Sequence, residues 1–250
     1  MAGKLLITGM TGVIGTALRE RLEVDYELRA LNRRQLDGVD CHSADIADLE
    51  AMAPAFDGID TVVHMAAHSG ETEFDQILHH NVIGTYNVFE AARRAGCRRV
   101  IAASSGAVVT GWERETPYAE IVAGHYNELP ASWPMLNHET PVRPAGLYGC
   151  SKAWMEALGR HFSDATDMSV ICLRIGRVME EDQPQESRHW AVWCSRRDLA
   201  GLVRCCIEAP DELRFEIFYA LSDNRWGFRD IERARELIGY QPQDRAEDHR

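Results

Sequence analysis

The stretch Lys4-Leu-Leu-Ile-Thr-Gly-Met-Thr-Gly-Val-Ile-Gly15 decides how the rest of the chain is read. Lys4 to Thr8 has the apolar run of a short strand. Ile14, Leu18 and Leu22 recur four apart and mark one face of a helix over Val13 to Leu22. Between them sit Gly9, Gly12 and Gly15. Glycines in a strand-turn-helix permit a tight reversal, close approach of backbone to a pyrophosphate, and close helix–strand packing. The N–H groups that open the helix then face a diphosphate, where the helix dipole favours negative charge. Gly9, Thr11, Gly12, Val13, Ile14 and Gly15 are therefore candidate dinucleotide-binding residues.

The pattern continues outward. Further strands are expected at Glu27 to Leu31, Asp60 to Met65, Arg99 to Ser104 and Ser169 to Arg174. A long helix is expected from about Phe74 to Arg94, closed by Gly96, and another after Tyr148. Strands separated by helices make βαβ units and a parallel sheet covered on both faces. The expectation is an α/β Rossmann fold, a doubly wound parallel sheet forming one domain over residues 1–250. Its C-terminal part, about 176–250, holds a helix (Asp198 to Glu208), a short strand (Phe215 to Ala220) and a last helix near Ile231 to Ile238. That is enough for a small substrate cap. From Gly111 to Gly146 the periodicity fades and prolines gather, so this stretch is expected to be a lid-like functional insertion.

The end of the second strand bears on the choice of dinucleotide. An acidic residue there would bind the ribose 2′-hydroxyl of NAD. Asn32-Arg33-Arg34 stands in its place, and an arginine fork suits a phosphate. Asn32 and Arg33 are thus expected at the cofactor, with NADP favoured over NAD.

Tyr148 and Lys152 are four apart at the start of a helix and share a face. A phenol with its ordinary pKa near ~10 is a weak base at neutral pH. A neighbouring ammonium favours the phenolate, which makes the pair a proton-transfer group for a hydroxyl or carbonyl. Ser104 and Ser105 end a strand upstream. Adjacent strand residues point to opposite faces, so only one of them should reach the same oxygen. Ser105 is preferred.

These residues together resemble the extended short-chain dehydrogenases/reductases of the NAD-dependent epimerase/dehydratase family. The marks run in order: Thr8-Gly9-x-x-Gly12-x-x-Gly15, Asp45-Ile46, His64-Met-Ala-Ala67, Asn81-Val-Ile-Gly-Thr-Tyr-Asn87, Ser104-Ser105, Tyr148-x-x-x-Lys152 and Leu173-Arg-Ile-Gly176. The resemblance implies that Asp45 and Ile46 meet the adenine and that His64, Met65, Ala66 and Ala67 line the cofactor. It implies that Ser104, Tyr148, Lys152 and Ile175 touch the cofactor as well. Tyr148, Lys152 and Ser105 would be catalytic, and Asn81 would hold the site in order. Within the family the likeness is greatest to the uronate dehydrogenases, which oxidise the anomeric hydroxyl of a hexuronic acid. That likeness implies Ser69, Ser105 and Gly106 at the substrate, with Arg188 clamping a carboxylate. Gly106-Ala107 and Arg177 depart from that enzyme type, which has Asn-His and Ser there.

The 39 acidic against 27 basic residues give a formal charge of −12. This argues against nucleic-acid or anionic-membrane partners, which need a basic face. No apolar run approaches the length of a membrane span. Seven cysteines without a C-x-x-C pair read as reduced thiols of a cytoplasmic protein. Ten histidines carry no zinc spacing; His79 and His80, adjacent on a helix, are expected to face different ways, and no metal is expected. The resulting expectation is an NAD(P)-dependent oxidoreductase acting on a sugar or sugar acid, a homodimer as is typical of the family. The alternatives are a nucleotide-sugar epimerase/dehydratase that retains its NAD and a nonenzymatic NADPH-sensing regulator.

Overall fold

In the computed structural model, which describes residues 3–70 and 74–249, the six expected strands form and a seventh joins them. They are β1 (Lys4–Thr8), β2 (Glu27–Asn32), β3 (Asp40–Ser43), β4 (Thr61–His64), β5 (Arg99–Ser105), β6 (Ser169–Ile175) and β7 (Phe215–Ala220). They form one parallel sheet in the order β3-β2-β1-β4-β5-β6-β7. The order reverses between β1 and β4, where Thr8 lies opposite His64. Ligands of such sheets bind outside the carboxyl ends of the strands at that reversal.

Strand β3 was not legible. Its sequence Asp-Cys-His-Ser is polar and half-exposed at the sheet edge, so it lacks the apolar alternation that marks a strand. Register against β2 is fixed by Arg29 opposite Asp40, whose side chains meet at 2.7 Å.

Helices α1 (Val13–Leu22), α8 (Arg196–Glu208) and α9 (Glu232–Ile238) cover one face of the sheet. On the other lie α2 (Leu49–Met52), α4 (Thr85–Ala95) and α6 (Leu147–Ala165). The alternation of strand side chains sorts the two layers. Leu5, Ile7, Ile101 and Leu173 pack with Leu18 and Leu199. Leu6, Val100 and Cys172 pack with Phe89 and Met155.

The long helix expected from Phe74 is one continuous body. It runs through α3 (Phe74–Gln76), a π-helical stretch (Ile77–Gly84) and α4, and ends on Gly96 in the left-handed conformation. Such π-turns recur at functional sites.

The stretch from Gly111 to Gly146 has structure of its own. It contains the end of a 3-10 turn (Gly106–Arg114), helix α5 (Tyr118–Ala123) and a parallel bridge from Leu136 to Arg229. Val109, Tyr118, Ile121 and Leu136 share a core with Val192 of α7 (His189–Val192), Tyr219, Leu221 and Phe228. This segment and the C-terminal part thus pack as one wall beside the sheet.

Beneath that wall is a charged pair. Arg174 grips Glu156 through Nε and Nη2, both at 2.9 Å, with both side chains almost wholly buried. Ser104 donates to the same carboxylate at 2.6 Å, and Arg174 Nη1 donates to the Tyr219 hydroxyl at 3.0 Å.

Candidate active site

The turn after β1 is shaped by two glycines that nothing larger could replace. Gly9 has φ +71°, and a Cβ there would stand 2.9 Å from the Ala66 backbone. A Cβ on Gly15 would come within 2.4 Å of the Gly9 carbonyl. Thr8 ties the turn to β4, since its hydroxyl accepts from the N–H groups of Met65 and Ala66.

Thr8 also bonds His64 Nδ1 at 2.8 Å, while Nε2 meets the Thr85 hydroxyl at 3.1 Å. His64 is wholly buried in this bridge and, unlike Met65, Ala66 and Ala67, lines no part of the cavity beside the glycine turn. Burial pushes its imidazole down from 6.5 to about 3. Between those values the unfolded chain holds a proton that the native state refuses. Stability therefore falls as pH drops from 6.5 towards 3. Urea midpoints compared at about pH 7 and about pH 5 are expected to fall further for wild type than for His64→Gln. Equal falls would assign the slope to other groups.

Two continuous cavities open along the carboxyl edge of the sheet, both bounded by Gly9, Gly12 and Met65. The first, of about 500 Å³, is also lined by Thr11, Asn32, Arg33, Asp45, Ile46, Ala66 and Ala67. Asn32 is only 6% exposed, and both ends of its amide lack a partner among the described residues. A buried amide in that state fits a ligand-facing role. With the glycine cradle, it makes this groove suited to a dinucleotide.

Asp45 accepts from the Ala47 N–H at 2.9 Å. Burial works to raise its pKa, but that hydrogen bond and His79 outweigh burial, and the carboxyl stays below its ordinary range. His79 and His80 do not face different ways. Both reach Asp45, His79 Nε2 at 3.5 Å and His80 Nδ1 at 3.8 Å. One side chain is half exposed and the other mostly buried, yet their tips converge on the same carboxylate, and the three ligand atoms lie within 4.8 Å of one another.

The second cavity, of about 520 Å³, brings together Val13, Ile14, Gly15, Ser69, Ser105, Gly106, Tyr148, Ile175 and Arg188. Ser105 ends β5, and its hydroxyl accepts from the Ala107 N–H at 3.1 Å. Ser104 lines neither cavity. Its side chain points to the opposite face of β5 and is engaged by Glu156.

Lys152 is 1% exposed and lies behind Tyr148, not on the cavity wall. Its Nζ donates to the Ala103 carbonyl at 2.7 Å and stands 5.5 Å from the Tyr148 ring centre. Burial pushes the ammonium down to about 8. Asn81, buried in the π-helical stretch, accepts from the His68 N–H at 2.7 Å. It donates to the His68 carbonyl at 2.9 Å and to Ser151 at 3.0 Å. Ser151 in turn donates to the Tyr148 carbonyl at 2.7 Å. Asn81 touches neither cavity and is a positioning residue, joining the loop after β4 to the start of α6.

Two residues of this region had no sequence motif. Glu113 takes Arg188 Nε and Nη2 at 2.6 and 2.8 Å, and Arg229 Nη2 at 2.8 Å. Arg229 is 2% exposed, and a Cβ on Gly106 would overlap its Nη1 at 1.9 Å. The glycine after Ser105 was the one available signal that something else fills this space.

The chain matches the profile of the NAD dependent epimerase/dehydratase family over residues 5–201. It is 35% identical to the NAD-dependent glucose-6-phosphate dehydrogenase of Haloferax volcanii, over 97% of this chain and 94% of that one. To the uronate dehydrogenase of Agrobacterium fabrum it is 33% identical, over 98% and 86% of the two chains. A crystal structure of uronate dehydrogenase from Agrobacterium tumefaciens superposes with a TM-score of 0.83 at 31% identity, covering 99% of this chain and 86% of that one.

Proposed function

We propose that this chain, which belongs to the NAD dependent epimerase/dehydratase family, is an NAD(P)-dependent dehydrogenase that oxidises a hydroxyl of a sugar or sugar acid. The observation that carries this reading is the convergence of Tyr148, Ser105, Ser69 and Arg188 on one cavity continuous with the glycine cradle.

Gly9, Gly12, Asn32, Asp45 and Ile46 would hold the nucleotide end of NAD or NADP, and Met65 and Ile175 would flank the other end. The bound cofactor supplies the two-electron acceptor. Tyr148 takes the proton of the substrate hydroxyl at its phenolic oxygen. Lys152 places an ammonium beside that ring, and opposite charge nearby favours the phenolate. Ser105 donates to the same substrate oxygen. These groups are fixed before the substrate arrives, so no reorganisation is spent when charge develops. Ser69 and Gly106 would border the sugar, with Arg188 at its acidic group.

Arg33 lines the nucleotide end and supports a preference for NADP. Arg33→Ala is expected to lower kcat/KM for NADP by about tenfold, with a smaller change for NAD. Equal changes would remove the preference. A homodimer through the long helices is supported by exposed Phe74, Leu78, Ile83, Tyr86 and Leu147. No helix among the described residues is long and apolar enough to cross a membrane. The seven unpaired cysteines favour the cytoplasm.

Aldoses, hexuronates, sugar phosphates and nucleotide sugars, each offered with NAD and with NADP, test the reading through the absorbance of reduced nicotinamide. Net cofactor reduction with one of the first three is expected. Conversion of a nucleotide sugar without it would mean an epimerase.

A further inference from the structure

We infer that Arg229, together with Arg188 and Arg177, forms a subsite for a dianion, so that the preferred substrate is the phosphate monoester of a sugar. This rests on the dehydrogenase reading above and specifies its substrate.

Charge is the first observation. Arg177, Arg188 and Arg229 all line the cavity that holds Tyr148 and Ser105. One carboxylate, Glu113, is paired with two of them. Glu186 pairs with His189 at 3.0 Å and also acts on Arg188. The cavity wall itself carries the three guanidinium groups and, among the described residues, no carboxylate. That excess of positive charge suits a phosphate monoester, at about −1.5 to −2 near neutral pH, better than the single charge of a sugar carboxylate.

The donors are the second. Glu113 uses the Nε and Nη2 of Arg188 but only the Nη2 of Arg229. Arg229 Nε is buried and has no partner among the described residues. Its Nη1 lies over Gly106, where the Cβ of any other residue would stand 1.9 Å away. A buried guanidinium with an unspent donor is costly unless something completes it. The arginine fork matches the oxygens of a phosphate. Glu113 is the positioning residue. It sets Arg188 and Arg229 side by side, and the bare Gly106 backbone leaves the space.

Binding tests this independently of turnover. Protein saturated with NADPH, so that the cofactor's own phosphate positions are filled, is titrated by calorimetry. The probes are an aldohexose 6-phosphate, the matching hexuronate, the free hexose and inorganic phosphate. The phosphate ester is expected to bind about tenfold tighter than the hexuronate and about a hundredfold tighter than the hexose. Inorganic phosphate should compete with the ester. Arg229→Met should erase most of the phosphate preference and change hexose affinity by less than about threefold, and Arg229→Lys should restore only part. Gly106→Ala keeps every charge but displaces the guanidinium, and should likewise erase most of the phosphate preference.

A hexuronate that binds tighter than the phosphate ester to wild type would overturn the inference, whatever the variants do. So would folded Arg229→Met and Gly106→Ala proteins, judged by circular dichroism, that keep the full preference. Tight, Arg229-dependent binding of the ester without cofactor reduction by any sugar would leave the subsite standing and overturn the dehydrogenase reading alone.

Discussion

Tyr148→Phe is expected to lower kcat by about a thousandfold on any sugar the enzyme oxidises, the range in which a positioned acid–base group contributes. In the proposed mechanism the phenol on the cavity wall is the proton acceptor, and phenylalanine keeps the ring while removing the atom that would take the proton. Lys152 cannot substitute for it, because it lies behind the ring with its Nζ committed to the Ala103 carbonyl at 2.7 Å. Affinity for NADH should be unchanged within about twofold, since the glycine turn and Asn32 sit on other elements and lose nothing. Steady-state rates and NADH fluorescence titration separate the two effects. Retention of more than about a tenth of the wild-type rate would refute the assigned mechanism.

The second large effect is on stability. Glu156→Ala should cost about 3–5 kcal/mol, because it strands the Arg174 guanidinium in the interior without its counter-charge. Ser104 loses its acceptor at the same time. The charge is fixed there, as the bidentate grip of Glu156 holds Arg174 protonated against the opposing effect of burial. Removing both charges, as in Glu156→Leu with Arg174→Met, should recover much of the loss, since an apolar pair of similar volume needs no desolvation. Urea unfolding of the single and double variants checks this. A single-variant loss below about 1 kcal/mol would mean that water reaches the pair.

The pattern of these two sites explains what the sequence could and could not say. The sheet was legible because the glycine turn, the period-two strands and the helical repeats are all local signals. That only one of Ser104 and Ser105 should face a given side was equally local, since it needs only the alternation of a strand, but alternation does not say which. Polar β3 escaped because its pairing energy comes from β2 and not from its own residues. His79 and His80 were misassigned because spacing fixes where side chains start, whereas both imidazoles reach across to Asp45, from another segment. Glu113 and Arg229 escaped for a third reason. They are 116 residues apart, and only packing of the Gly111 to Gly146 segment against the C-terminal part brings them together.

That shared wall also orders events in time. The nucleotide groove is lined by residues from Gly9 to His80, all made in the first third of synthesis. The substrate side waits for Arg229. A nascent chain therefore carries every residue of the proposed cofactor groove long before it carries Arg229. Of the residues proposed to meet the two ligands, those on the sugar's side include the last to be made.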